Sequence, residues 1–381
     1  MSDEPPATVG VLANPWAGKD VRRLHAPSGH AADSAKIAIV ERVVAGAIAG
    51  GARRVLIAAD VGRIGQRAAK SAIAHQATVG ATGSSADAII EVIDGPGTGS
   101  ALDTRRAATQ LHDLGACPIV ALGGDGTCRD VAIGAPDALL VAISTGTNNV
   151  FPEMVEATSA GWAAGLVAAR SSRDVPARRA KRVVATLHSP DPDRDGRSWP
   201  ALVEVGVTRS TAVGARAVTD PSSLRLVVAV IAEPASTGLS AVAGRVRPIG
   251  RLDTGGVVVE LGPGGRRVAV PLVPGSIDQV EITSIRAIGS SPHGEAGDSV
   301  QVDGPATLAF DGERDLVVRT GERVTLSVDR LGPWQLDVDA ILTAAARERR
   351  FDTNGPSRHH DPAEPLVAAR PTSAPETHHG H

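Results

Sequence analysis

Three glycines, an aspartate and a threonine lie together at residues 123–127 (GGDGT), directly after the apolar run 117–122. The apolar run has the length and composition of a buried strand, and the residues from Arg129 onward indicate the start of a helix. Glycine loops and helix N-termini bind phosphate, because no Cβ blocks its approach and the helix dipole is positive there. Asp125 would repel phosphate, so it fits a metal ligand or an acceptor of a hydroxyl proton. Together these residues predict phosphoryl transfer.

The same five residues also fit a tight turn in which Asp125 caps the helix. They are not a P-loop, since no lysine follows the last glycine. Two further loops rich in Gly, Asn or Thr follow strand-like runs, at residues 14–19 (NPWAGK) and 144–149 (STGTNN). Ligands of parallel sheets bind at the carboxyl ends of the strands. We therefore expect the three loops to line one nucleotide crevice.

Strand-like and helix-like segments alternate over residues 8–170, which predicts a Rossmann-like parallel sheet with helices on both faces. The glycine-rich run at residues 95–99 is interpreted as a turn and helix start, with a place in the nucleotide pocket as the alternative. From about residue 178 onward, short apolar runs punctuated by Gly and Pro predict an antiparallel β-sandwich. A closing helix is predicted from Trp334 to Arg350.

These patterns predict a two-domain organisation with a tail. The predicted units are a nucleotide-binding α/β domain at residues 1–177, a β-sandwich domain at residues 178–329, a C-terminal helix within residues 330–350 that returns to the first domain, and a disordered tail at residues 352–381.

Composition restricts the possible partners. The 381 residues are 42 % apolar, which is enough for two cores, and no run of 18 apolar residues predicts a membrane span. A net charge of −3 and an aromatic content of 2 % argue against nucleic acid as a partner. Cys117 and Cys128 lack metal-ligand spacing, which predicts a reduced, cytoplasmic protein. An unpaired edge of the sandwich would allow a homo-oligomer.

In this order, the motifs resemble those of the superfamily of NAD kinases, diacylglycerol kinases and sphingosine kinases. The resemblance extends over most of the chain and includes a small-residue loop and an Asp-Gly-Glu sequence; its segments are 14–18, 123–127, 146–148, 234–240 and 311–313. The closest resemblance is to the ATP-NAD-kinase-like proteins of acetoin catabolism, the AcoX type. It is carried by residues 128–132 (CRDVA), 145–152 (TGTNNVFP) and 213–217 (VGARA).

The resemblance implies an ATP-dependent kinase that phosphorylates a hydroxyl of NAD or a related small molecule, with Mg²⁺ as the divalent cation. It implies that Asp125 positions or deprotonates the acceptor hydroxyl, and Glu313 is the other candidate base. For the pair Asp311 and Glu313, a bare turn after a strand is an equal interpretation. The implied nucleotide-binding residues are Asn14, Gly18, Gly123, Gly124, Gly126, Thr127, Gly146, Thr147, Asn148, Ser236, Thr237 and Asp311.

Val203 departs from the resemblance, because it stands where NAD kinases carry an asparagine. Replacing an asparagine that bonds the dinucleotide by valine leaves polar groups unpaired, at a cost of about 1–3 kcal/mol. The identity of the acceptor is therefore open. Two alternatives follow: a nucleotide-binding protein without kinase activity, and a lipid kinase of the diacylglycerol type. The Asp-Gly-Glu sequence favours the lipid kinase, whereas no basic amphipathic helix is present to dock it on a bilayer.

Overall fold

The computed structural model describes residues 6–17, 32–79, 88–95, 97–146, 148–170, 175–209, 218, 220–290 and 298–352. The strands of the N-terminal part are β1 (Thr8–Ala13), β2 (Arg54–Ala58), β3 (Ile89–Ile93), β4 (Ile119–Gly123), β5 (Leu139–Ser144) and β6 (Ala177–Arg179). Its helices are α1 (Asp33–Ala49), α2 (Ile64–Val79), α3 (Ala101–Asp113), α4 (Asp125–Gly134) and α5 (Ala157–Ala168). The first five strands pair in parallel, as the alternating pattern predicts.

Alternate residues of these strands face opposite sides of the sheet, and helices cover both sides. On β4, Val120 and Leu122 belong to the buried cluster that contains residues of α1, α2 and α5, whereas Ile119 and Ala121 belong to the cluster that contains residues of α3 and α4. Because both faces are covered, the central strands β1, β4 and β5 are predominantly apolar, whereas the edge strand β3 is partly exposed. The predicted Rossmann-like parallel sheet with helices on both faces is confirmed.

The C-terminal part consists of two antiparallel sheets. Its strands are β7 (Arg182–His188), β8 (Ser198–Ala201), β9 (Glu204–Thr208), β10 (Leu224–Ala229), β11 (Gly256–Val270), β12 (Asp278–Ile288), β13 (Ser299–Asp303), β14 (Ala306–Phe310), β15 (Glu313–Val318) and β16 (Arg323–Asp329), with helix α6 (Leu239–Gly244) after β10. One sheet has the order β12-β11-β10-β9-β14-β15, and the other has the order β13-β16-β7-β8. Val207 and Leu308 of the first sheet share a core with Val183 and Leu326 of the second. The predicted β-sandwich is therefore confirmed.

The last described residues of the chain return to the first sheet. Strand β17 (Trp334–Leu336) pairs in parallel with β5, and helix α7 (Val338–Arg347) packs beside α5. The return is confirmed, but the prediction of a helix from Trp334 onward was wrong in its first turn. Pairing of Trp334 and Gln335 with β5 overrides the helical pattern, and Asp337 then caps α7 by accepting a hydrogen bond from the Ala340 N–H.

No helix of the described ranges has the length and apolar character needed to cross a bilayer. Both cysteines are free thiols. The predicted disordered tail lies, except for Asp352, outside the described residues. The boundaries of the predicted domains stay predictions, since β6 and β17 extend the first sheet with residues on either side of the sandwich.

Candidate active site

Strand β4 ends at Gly123 and helix α4 begins at Asp125, so the GGDGT sequence is the predicted strand-to-helix connection. Gly124 occupies the N-cap position in an extended conformation, and its carbonyl accepts a hydrogen bond from the Cys128 N–H at 3.1 Å. An acidic residue is favourable in the first turn because the helix dipole is positive there. Asp125 is half-buried at the carboxyl end of the parallel sheet.

The loop after β1 is tied to this connection by a side-chain hydrogen bond. Asn14 Nδ2 donates to Thr127 Oγ1 at 2.8 Å, and Asn14 Oδ1 accepts from the Trp16 N–H at 2.9 Å. Lys36, which is 1 % exposed, reaches from α1 and donates to the Pro15 carbonyl at 2.7 Å. The Asn-Pro loop therefore has a fixed conformation beside the first turn of α4.

The loop after β5 is held by the carboxylate of Asp125. Asp125 Oδ1 accepts from the N–H groups of Val150 at 2.9 Å and Phe151 at 2.7 Å, while Oδ2 accepts from Val150 at 3.2 Å. The Thr145 N–H donates to the Gly123 carbonyl at 3.3 Å. These bonds bring the three strand-end loops to one place, as the sequence predicts.

The glycines of the GGDGT sequence differ in what requires them. A Cβ on Gly123 would lie 2.4 Å from Thr127 Oγ1, and a Cβ on Gly124 would lie 2.7 Å from Asn149 Oδ1. Gly123 and Gly124 are therefore required so that protein segments can pack closely. The sequence alone suggests that the absence of a Cβ serves the approach of phosphate. A Cβ on Gly126 would meet no atom of the described residues within 4 Å. Only beside Gly126 does the connection border open space in this part of the chain.

Residues of α4 that follow the GGDGT sequence contact the sandwich. Burial, and then the neighbouring carboxylates of Asp125 and Asp311, raise the pKa of the Cys128 thiol well above its usual value. Arg129 is buried and its Nη1 donates to the Phe310 carbonyl of β14 at 2.8 Å. Burial disfavours its charged form, but Asp311 and other nearby carboxylates outweigh this and raise the pKa of Arg129. The first turn of α4 is thus fixed to the end of β14.

Asp311 directly follows β14, in the segment that the sequence analysis interprets either as a bare turn or as a catalytic site. It is 6 % exposed, has a φ of 49°, and its carboxylate accepts from the N–H groups of residues 202–204 at 3.3, 2.9 and 3.4 Å. Burial raises the pKa of Asp311, and Arg129 and these amides act in the opposite direction. Glu313 begins β15 two residues later and is half-buried. The contacts of Asp311 favour a structural role in the turn, whereas Glu313 stays a candidate base.

Other predicted site residues lie in local networks. Asn148 is half-buried in the loop after β5, and the carbonyl of Gly146 accepts from Ser144 Oγ at 2.6 Å. Ser236 donates through its hydroxyl to the Glu233 carbonyl at 2.7 Å, and Thr237 is half-buried beside it, before α6. Gly18 and Thr147 lie outside the described residues. The binding roles of all these residues stay predictions.

Sequence reasoning missed two residues that shape the site. Asn149 donates to Ser144 Oγ at 2.8 Å and lies against Gly124; its place beside Asn148 in a polar loop was a usable signal. Arg251 donates to the carbonyls of Val150 and Phe151 from a loop of the sandwich about a hundred residues away. No local pattern around Arg251 indicates this contact, because it depends on how the two parts of the chain pack.

Comparison with known proteins places these features in context. The family model for the C-terminal domain of acetoin catabolism protein X matches residues 193–331. Acetoin catabolism protein X of Cupriavidus necator is 33 % identical over 349 residues, which cover 89 % of this chain and 92 % of that protein. Among solved structures, yeast NADH kinase complexed with NADH aligns with a TM-score of 0.43 and 12 % identity, over 95 % of this chain and 91 % of that one. A Bacillus anthracis protein named as a candidate diacylglycerol kinase aligns with a TM-score of 0.40 and 12 % identity, over 88 % and 98 % of the two chains.

Proposed function

The chain belongs to the acetoin catabolism protein X family, and we propose that it is an ATP-dependent kinase that phosphorylates a hydroxyl of NAD or a related small molecule. The observation that carries this proposal is the meeting of three strand-end loops around Asp125. Asn14 bonds Thr127, Gly123 bonds Thr145, and Asp125 bonds the amides of the third loop. A cytoplasmic location, proposed from the cysteine content, is consistent with ATP as the donor.

The first turn of α4 supports binding of phosphate. Gly126 borders open space in the described part of the chain, and it lies at a helix N-terminus, where backbone N–H groups and the helix dipole attract anions. In the proposed complex, this turn and the Asn-Pro loop bind the phosphates of the donor.

No group of three or more His, Cys, Asp or Glu side chains in the described ranges is arranged to hold a metal ion. A divalent cation such as Mg²⁺ is commonly bound through one or two carboxylates together with phosphates, so the residues present fit Mg²⁺ bound with ATP.

Bound Mg²⁺ and ATP would supply the phosphoryl group and neutralise its charge. The protein's part in the proposed reaction is to orient the acceptor and take its proton. Asp125 Oδ1 accepts the two shorter hydrogen bonds from backbone amides, and Oδ2 accepts the longer one. We therefore propose that Oδ2 accepts the proton of the hydroxyl that is phosphorylated.

An acceptor screen tests the proposal. Purified protein is incubated with ATP and Mg²⁺ and, in turn, NAD, NADH, small diols and diacylglycerol in vesicles, and ADP formation is measured. We expect turnover on a dinucleotide or small diol, and we expect Asp125→Ala to lower it by at least about 10²–10⁴, the usual contribution of a general base. Asp113→Ala, at an exposed carboxylate of α3, is the matched control and should keep full turnover. Asp125→Ala protein with parental turnover would refute the assigned role.

One observation favours a second candidate, a nucleotide-binding protein without kinase activity. Val203 is fully buried in the sandwich core, with its N–H bonded to Asp311 and its carbonyl to the Val230 N–H. The position at which the NAD-kinase resemblance leads one to expect an asparagine thus contributes no polar side chain. Calorimetry that detects binding of ATP or NAD, combined with no ADP formation on any acceptor, would support this second candidate.

A further inference from the structure

Arg251 lies in the loop between α6 and β11, yet its guanidinium contacts the loop that Asp125 holds. Nη1 donates to the Phe151 carbonyl at 2.7 Å and Nη2 donates to the Val150 carbonyl. The guanidinium carbon lies 5.8 Å from the centroid of the Phe151 ring. Two neighbouring carbonyls and one aromatic ring thus fix the same arginine.

The peptide group that joins Val150 to Phe151 is bonded at both ends. Its carbonyl accepts from Arg251, and its N–H donates to Asp125 Oδ1 at 2.7 Å. A peptide group is conjugated, so a cation at its oxygen withdraws electron density from nitrogen and makes the N–H a stronger donor. A positive charge and a negative charge therefore lie at opposite ends of one polarised peptide group.

We propose that Arg251 is a positioning residue for Asp125, acting through the Val150–Phe151 peptide group that lies between them. The proposal rests on the proposed function, because it gives the sandwich a part in orienting the carboxylate that faces the acceptor. Without Arg251, the 150–151 peptide group is free to rotate, and Asp125 loses its shortest amide bond, the one from the Phe151 N–H at 2.7 Å. Its carboxylate then samples other rotamers, and the acceptor hydroxyl is no longer aligned.

The loop that carries Arg251 is itself held firmly. Lys181, which is 3 % exposed, donates from β6–β7 to the carbonyls of Gly250 at 2.8 Å and Gly255 at 3.1 Å. Arg330 Nη2 donates to the Asp253 carbonyl at 2.9 Å. Because both ends of residues 250–255 are fixed by buried or half-buried cations, Arg251 is presented in one position. A positioning role requires such a fixed support.

The position of Arg251 is further defined by polar groups around it. Gln335 Oε1, from β17, accepts from Nη1 at 3.3 Å, and Glu153 Oε1 lies 3.9 Å from Nη1. Gln335 in turn donates to Glu153 at 3.0 Å. The contact therefore joins the first sheet, its returning strand and the sandwich at a single side chain.

The test compares Arg251→Met, Arg251→Lys and the control Arg247→Met, which changes an exposed arginine of the same loop. The first measurement is amide hydrogen exchange, resolved for residues 144–153. We expect Arg251→Met to speed exchange at the amides of Val150 and Phe151, since their bonds to Asp125 open more often. Arg251→Lys should restore part of the protection, and Arg247→Met should match the parent.

A double-mutant cycle asks whether the effect passes through Asp125. In an Asp125→Ala background these two amides already lack their acceptor, so Arg251→Met should add little further exchange at them. Equal acceleration by Arg251→Met with and without Asp125 would overturn the proposal. So would unchanged exchange at residues 150 and 151 in the Arg251→Met single variant.

The second measurement uses the acceptor found in the screen. Arg251→Met should lower kcat by about 10–100-fold, as expected for misplacement of a reacting group, and should change the KM for ATP by less than about threefold. A purely structural role would lower the melting temperature and leave kcat per folded molecule unchanged, which would refute the positioning role. If the parent phosphorylates no acceptor, the proposed kinase function fails, while the exchange cycle still decides whether Arg251 and Asp125 are coupled.

Discussion

Asp125 and Asp311 are placed alike in the sequence, since each is an aspartate followed by glycine at the end of an apolar strand. Each carboxylate also accepts backbone N–H groups from a segment remote in the chain: residues 150 and 151 for Asp125, and residues 202–204 for Asp311. Their surroundings differ. Asp125 is half-buried at the N-terminus of α4, whereas Asp311 is 6 % exposed and close to the charge of Arg129.

Hydrogen bonds to backbone amides therefore do not by themselves distinguish the proposed base, Asp125, from the aspartate proposed to be structural, Asp311. Both carboxylates are held in this way, so access decides what each can do. Asp125 is half-buried at the carboxyl end of a central strand of the parallel sheet, which is where parallel sheets bind ligands. Asp311 is buried at one end of the sandwich, where its carboxylate already bonds three amides. A ligand could reach it only by entering the packed core.

The largest expected effect is on stability at Asp311. We expect Asp311→Asn to lower the free energy of unfolding by about 3 kcal/mol, because the NH₂ group of asparagine replaces one of the two oxygens that accept the buried N–H groups of residues 202–204. Asparagine tolerates the positive φ of 49° at this position, so the variant tests charge rather than backbone strain. Urea unfolding followed by circular dichroism measures the loss.

The matched comparison is Asp125→Asn, for which we expect a loss of only about 1–2 kcal/mol together with loss of turnover. The distinction between the two aspartates breaks down if the two variants are equally destabilised. It also breaks down if Asp311→Asn protein is as stable as the parent.

Glu322 extends the comparison to a second buried acid of the sandwich. It accepts from Arg194 Nε at 2.7 Å, Ser189 Oγ at 2.8 Å and the Arg319 N–H at 2.7 Å. The Arg194 fork lowers the pKa of Glu322 from 4.5 to about 2. The folded state therefore binds this proton more weakly than the unfolded state, so the stabilisation is fully present above pH 4.5 and is lost as the pH falls toward 2.

For Glu322→Gln we accordingly expect a loss of about 1–2 kcal/mol at pH 7, since hydrogen bonds to a charged group are weakened. The difference in free energy of unfolding between parent and variant should shrink as the pH falls below 4.5. Denaturation at a series of pH values measures it. A difference that stays constant with pH would show that the charge of Glu322 contributes nothing.

The fold class and the meeting of the three loops were predictable from the sequence because they depend on local signals. Apolar runs ending in Gly, Asn or Thr mark strand ends, and parallel strands bring those ends to one edge. Contacts that depend on packing were not predictable. Nothing near Asp311 in the sequence says that it is covered by residues 202–204, and nothing near Arg251 says that it reaches Phe151.

Tertiary pairing also changed the limits of the predicted elements. Trp334 and Gln335 carry a helix-like pattern but add a strand to β5. Helix α5 begins only at Ala157, because Glu153 bonds β5 through its backbone and Glu156 caps α5 by accepting from the Ser159 N–H. In both places a strand edge from elsewhere in the chain competes with local helix propensity.

The smallest expected effect is at Glu313, which separates the two candidate bases. Glu313 is half-buried at the start of β15, across the turn from Phe310, and it lies at the end of the sandwich that contacts α4. We expect Glu313→Gln to change the free energy of unfolding by less than about 0.5 kcal/mol. We also expect it to lower turnover by less than about tenfold, or about 1.4 kcal/mol in activation free energy, because Asp125 is the proposed base. If Glu313→Gln instead removes as much turnover as Asp125→Ala, the acid after β14 takes the proton, and Asp125 serves only to hold the loop after β5.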